Sequence, residues 1–183
     1  MSKKISKTIY YEKKCLLLAL FMTILQVDFV NAGTPQKGNA QQEKPFTIGC
    51  GLTAGLPEGD YSELTSLALA FDVQGEYALI PNLRITLSTG YLNFISKSGY
   101  GDLGIGQIPL LVGGKYCFSN KVYGSLQTGV SILTEEGAGT AFAIVPGIGY
   151  KINKTLDLML KYQSASVDET NISFLGIRAG FTF

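Results

Sequence analysis

The sequence predicts an all-β protein, an eight-stranded antiparallel up-and-down transmembrane β-barrel, and three observations carry that expectation. Apolar residues recur with a period of two over most of residues 46–183. The connections alternate between tight turns and longer loops, and aromatic rings fall at the ends of the apolar faces with aliphatic side chains between them. The composition agrees: of 183 residues, 46% are hydrophobic and 16% charged, with 22 Gly, 10 Phe and 10 Tyr. That balance suits a sheet protein whose exterior need not be polar.

The elements follow in order. Residues 1–32 read as a signal peptide: Lys3, Lys4, Lys7, Lys13 and Lys14 precede the apolar run "CLLLALFMTIL", and "QVDFVNA" places Val30 and Ala32 for cleavage between Ala32 and Gly33. The run is too short to span a bilayer as a helix, and Asp28 interrupts its extension. Cys15 stands at the start of that run, away from the cleavage point, and leaves with it. Residues 33–45, "GTPQKGNAQQEKP", are polar, carry two Pro and read as a flexible lead-in.

Strands are then expected at 46–56, 66–79, 83–95, 105–118, 122–133, 140–152, 155–164 and 171–183. In the first, Cys50 shares a face with Ile48 and Leu52. The second sets Leu67, Leu69, Phe71, Val73, Tyr77 and Leu79 against Ser66, Asp72, Gln74 and Glu76. The third carries Tyr91 on its apolar face and Arg84 on the other; the fourth carries Tyr116 and Phe118 against Lys115 and Cys117. The fifth opposes Val122, Leu126, Val130 and Ile132 to Tyr123, Ser125, Gln127 and Ser131. In the sixth, Phe142 and Tyr150 bracket Ile144 and Ile148, and in the seventh Leu156, Leu158, Leu160 and Tyr162 oppose Asp157, Lys161 and Gln163. The last strand gives Leu175, Ile177, Ala179, Phe181 and Phe183 on one face and Gly176, Arg178, Gly180 and Thr182 on the other.

Tight turns are expected at 80–82, 119–121 and 153–154, and longer acidic or Gly-rich loops at 58–65, 96–104, 134–139 and 165–170. Short turns at one end and longer loops at the other suit an outer-membrane barrel. Pro109 and Pro146 fall inside strands, where β-bulges would accommodate them. Cys50 and Cys117 lie on opposite kinds of face and are expected to be free thiols.

Alternation by itself fits a membrane barrel with its apolar face outward or a soluble exported barrel with that face around an apolar ligand. The aromatic ends and the sparse Gly, Ser and Thr face favour the membrane form. The blocks "IGQIPLLVGGKYCF", "VPGIGYKINKTLDLMLKYQ" and "FLGIRAGFTF" resemble the small outer-membrane β-barrel family of Gram-negative bacteria, especially the outer membrane protein beta-barrel domain proteins of Bacteroidetes. That resemblance implies a bacterial outer-membrane location and contact with outer-membrane lipid and lipopolysaccharide. It also implies insertion by the barrel-assembly machinery, with Phe181 and Phe183 as the terminal signal that machinery reads.

Chemistry is constrained as much by what is missing. The chain has no His, the commonest general base and metal ligand, and its formal charge of +1 offers no electrostatic footprint for nucleic acid. No catalytic, cofactor or metal site is expected; a Ser with a Lys, such as Ser125 beside Lys115, or a carboxylate pair could in principle substitute for His. Eight inward charges form the candidate site: Asp72, Glu76, Arg84, Lys115, Lys151, Asp157, Lys161 and Arg178. In a narrow lumen they must pair, and Glu76 with Arg84 and Asp157 with Arg178 are within cross-strand reach. The expected product is a monomeric barrel of structural or interaction role with a plugged lumen; a narrow gated channel, in which the pairs exchange partners, is the alternative. Loop acids Glu58, Asp60, Glu63, Glu135, Glu136, Asp168 and Glu169 form a solvated rim.

Overall fold

The computed structural model describes residues 45–98, 106–134, 139–167 and 170–183. The signal peptide, its cleavage point at Ala32 and Gly33, most of the lead-in and the rim residues Glu135, Glu136, Asp168 and Glu169 lie outside them, as does the side chain of Asp60. The strands are β1 (Phe46–Gly59), β2 (Thr65–Ile80), β3 (Leu83–Ser96), β4 (Gly106–Cys117), β5 (Val122–Leu133), β6 (Thr140–Lys151), β7 (Leu156–Val167) and β8 (Thr170–Thr182). Each pairs antiparallel with its sequence neighbour, and β8 closes on β1, so no edge is left open.

Closure fixes the two faces. Outward residues are apolar and exposed: Leu87 is 66% exposed, Leu52 61% and Phe142 60%. Inward residues on the same strands are buried, including Thr86 and Ser88 on β3 and Gln127 and Ser131 on β5. The expected polarity of the sheet therefore holds over most of its length, with the apolar face outside.

The differences are local. The loop expected at 165–170 is mostly strand, since β7 runs to Val167 and β8 resumes at Thr170. The loop expected at 58–65 is shortened from both sides and holds one 3-10 turn, Asp60–Glu63, whose Ser62 and Glu63 carbonyls accept hydrogen bonds from Lys97 Nζ at 2.7 and 3.1 Å. Pro109 and Pro146 do not form bulges. Pairing lapses beside each of them, between Thr89↔Leu110 and Leu92↔Gln107 and between Ile144↔Ser164 and Gly147↔Lys161, yet the register is the same on both sides of each gap. A strand can omit the donor Pro lacks without inserting a residue.

The irregularities sit instead at Thr65/Leu67 and Ala78/Ile80 on β2. The first turns Ser66 outward, against its expected inward placement, and its hydroxyl donates to the Ile95 carbonyl at 3.2 Å. Tyr150, expected at the exposed aromatic rim, is 6% exposed, with Lys121 Nζ 5.7 Å from its ring centroid.

Candidate functional site

The lumen is built in two layers. Toward the longer loops it is apolar: Ala68, Leu92, Phe94, Ile172 and Phe174 form one cluster and Leu111, Ala141, Ala143, Val145 and Ala165 another. Phe94 and Phe174 meet edge to face with centroids 6.1 Å apart. Alternation did not reveal this layer, because Phe94 and Ile95 place apolar side chains on both faces of the same strand end. The inward parity of Leu92 with Phe94 was the available signal.

Toward the tight turns the lumen carries charge. Glu76 Oε1 accepts from Lys115 Nζ at 2.8 Å and from Gln74 Nε2 at 2.9 Å, and Glu76 Oε2 lies 3.1 Å from Arg84 Nε. Arg84 also donates to Thr47 Oγ1 at 3.3 Å. Lys115 Nζ stands 4.2 Å above the Tyr123 ring, and Tyr123 Oη donates to Asp157 Oδ1 at 2.6 Å. Asp157 lies 3.8 Å from Arg178 Nη1, and Arg178 binds Asp72 through Nη2 at 2.6 Å and Nε at 2.9 Å. The chain of contacts starts on β1 at Thr47, ends on β2 at Asp72, and takes a side chain from every strand except β6. That strand contributes Gly149, where a Cβ would overlap the Tyr123 ring.

Small residues make the belt possible. Arg178 reaches Asp72 from β8 by crossing β1, and it passes over Gly51, whose missing Cβ would otherwise collide with the guanidinium. Gly180 leaves room in the same way beside Asp157. A second, neutral set hangs from Gln127, whose Nε2 donates to Thr86 Oγ1 at 3.0 Å and Ser88 Oγ at 3.1 Å. Buried polar groups are thus mostly satisfied by one another, as a low-dielectric interior requires.

Six of the eight expected charges meet in this belt: Asp72, Glu76, Arg84, Lys115, Asp157 and Arg178. Lys151 faces Asp157 in register but is half-buried at the rim, and the charged contact of Asp157 runs to Arg178. Lys161 is buried and lies over the Phe174 ring at 5.5 Å, between the two layers. Ser125 stands opposite Lys115, whose Nζ is engaged by Glu76 Oε1 at 2.8 Å. Between the layers lies a cavity of about 20 Å³, bordered by Asp72, Gln127, Met159, Lys161, Gln163 and Arg178 among others. Cys50 and Cys117 are both free.

No family model matches the sequence, and no curated protein does. Solved structures do match in fold. Ail, the attachment invasion locus protein of Yersinia pestis, superposes with a TM-score of 0.53 at 13% identity, covering 75% of this chain and 97% of that one. A de novo designed transmembrane β-barrel gives 0.50 at 16% identity over 77% and 98% of the two chains, and the designed barrel TMB2.3 gives 0.50 at 16% over 76% and 96%. The chain therefore has the fold of the small eight-stranded transmembrane β-barrels, with strand order, closure and outward apolar face in common with that architecture.

Proposed function

We propose that the protein is a small integral outer-membrane β-barrel of a Gram-negative bacterium, non-enzymatic, monomeric, with a structural or interaction role and a largely plugged lumen. The observation that carries this reading is a filled interior inside an apolar exterior. Outward side chains such as Leu52, Leu87 and Val112 are half or more exposed, and a band of that kind is stable against hydrocarbon rather than water. Inside, an aromatic cluster and a cross-strand ionic belt leave a cavity of about 20 Å³, far below the several hundred Å³ that an apolar ligand needs. A cavity of that size among the described residues disfavours the soluble, ligand-binding alternative.

The resemblance to the Bacteroidetes barrel proteins supports the same location. In this reading residues 1–32 direct export, outer-membrane lipid and lipopolysaccharide cover the band, and the barrel-assembly machinery reads Phe181 and Phe183. Both rings face outward at the end of the closing strand, 42% and 72% exposed. The purified barrel in planar bilayers tests the plug. No resolved conductance steps are expected; stable, voltage-sensitive steps would favour the gated channel in which Glu76 exchanges Lys115 and Arg84 for other partners.

A further inference from the structure

The geometry points to a binding site inside the barrel for one small monovalent anion of halide size, formed by Lys161 and Gln163. Lys161 projects from β7 into the lumen and is 8% exposed. Among the described residues it makes no hydrogen bond or ion pair; its charge faces the Phe174 ring. Asp72, the carboxylate that borders the same cavity, is held by Arg178 through Nε and Nη2. Gln163, two residues along the same face, is 2% exposed, and its amide nitrogen has no hydrogen-bond partner.

Charge counting within the lumen gives the same result. Arg84, Lys115 and Arg178 share Glu76, Asp72 and Asp157 in close pairs. Among the described residues Lys161 is the buried cation left over. A desolvated ammonium with three donors and no acceptor is costly, and an unpaired amide N–H beside it adds to that cost. Water in the cavity would supply an acceptor but no charge. An anion supplies both.

The cavity sets the size of the ligand. About 20 Å³ of space is room for roughly one water molecule, which admits a monatomic ion and excludes phosphate and carboxylates. The apolar layer above, with Phe94 and Phe174, keeps bulk water from screening the charge. The lining of the cavity also includes Phe71 and Tyr91 of the β2–β3 wall, both about half exposed.

Crystals of the full chain, refolded in detergent and soaked in sodium bromide, test the assignment by anomalous scattering. A bromide peak beside Lys161 Nζ is expected, lost in Lys161→Met. In solution, bromide in place of gluconate at equal ionic strength should raise the unfolding midpoint by roughly 3–6 °C at about ten times the dissociation constant. Lys161→Met and Gln163→Leu should reduce or abolish that rise. No peak in the wild-type chain, together with equal midpoints in the two salts, would overturn the proposal and leave a cavity holding water. Should Lys161→Met fail to fold, the wild-type scattering and salt comparison still decide.

Discussion

At the scale of single residues, the belt depends on Glu76 more than on any other group, because two cations share it. Glu76→Ala takes away the carboxylate that Lys115 and Arg84 share, and removing one partner of a buried ion pair costs about 3–5 kcal/mol. Urea unfolding in detergent micelles should show that loss, and the double variant Glu76→Ala, Lys115→Met should recover part of it. A loss below about 1 kcal/mol, the size typical of an exposed pair, would mean that water reaches the belt. Gly51→Ala tests a different dependence. Its methyl group would meet the Arg178 guanidinium, so the Arg178–Asp72 bond must shift; a cost of about 1–3 kcal/mol is expected in the same assay. The pairing of Glu76 with Arg84 was legible because a tight turn brings neighbouring strands together. That of Arg178 with Asp72 was not, since β8 and β2 become neighbours across β1 only after the barrel closes and Gly51 opens the way. The fate of Lys161 was equally hidden: inward parity is local, whereas the absence of a partner depends on which carboxylates the arginines have already taken.

At the scale of elements, period-two alternation located every strand to within a few residues, because inward and outward environments differ in polarity for most of their length. It failed where they do not. At the loop end of β3 both faces are apolar, so only the parity of Phe94 with Leu92, and no contrast in polarity, marked it as interior. On β2 an extra residue shifts the phase, and Ser66 went to the wrong side. Hydrophobic and turn signals also cannot tell how far pairing extends past them, which is why the β7–β8 hairpin is tighter than expected. The same alternation makes a strong prediction about adjacent positions. Val112 lies in the aliphatic band and is 50% exposed, so Val112→Arg should destabilise the barrel in bilayers by about 2–4 kcal/mol, while Thr155→Arg at the exposed β6–β7 turn should be near neutral. Equal effects at the two sites, measured by denaturant unfolding in vesicles, would remove the argument for a lipid-facing band. The proposed assembly signal on β8 predicts a separable outcome: Phe183→Ala should lower the amount of folded barrel in cells while the purified variant refolds in detergent as readily as the parent. Equal cellular levels would leave Phe183 as an ordinary strand end.

For the whole molecule, closure links sequence to role. Eight strands give a barrel just wide enough for side chains to fill. Here the filling is divided between an aromatic layer near the loops and an ionic belt near the turns. Under the proposed function this arrangement would oppose solute flow twice over, once by steric blockage and once by charge already committed to partners. It also concentrates apolar surface on the outside, where only a hydrocarbon environment makes it an asset. The central claim is therefore that of a closed, filled barrel residing in the outer membrane. Fractionation of Gram-negative cells expressing the full chain, followed by electrophoresis with and without boiling, tests it most directly. The account predicts recovery in the outer membrane and a band whose mobility changes on heating, as a detergent-resistant barrel unfolds. Recovery in the soluble periplasm, with one mobility in both lanes, would contradict it.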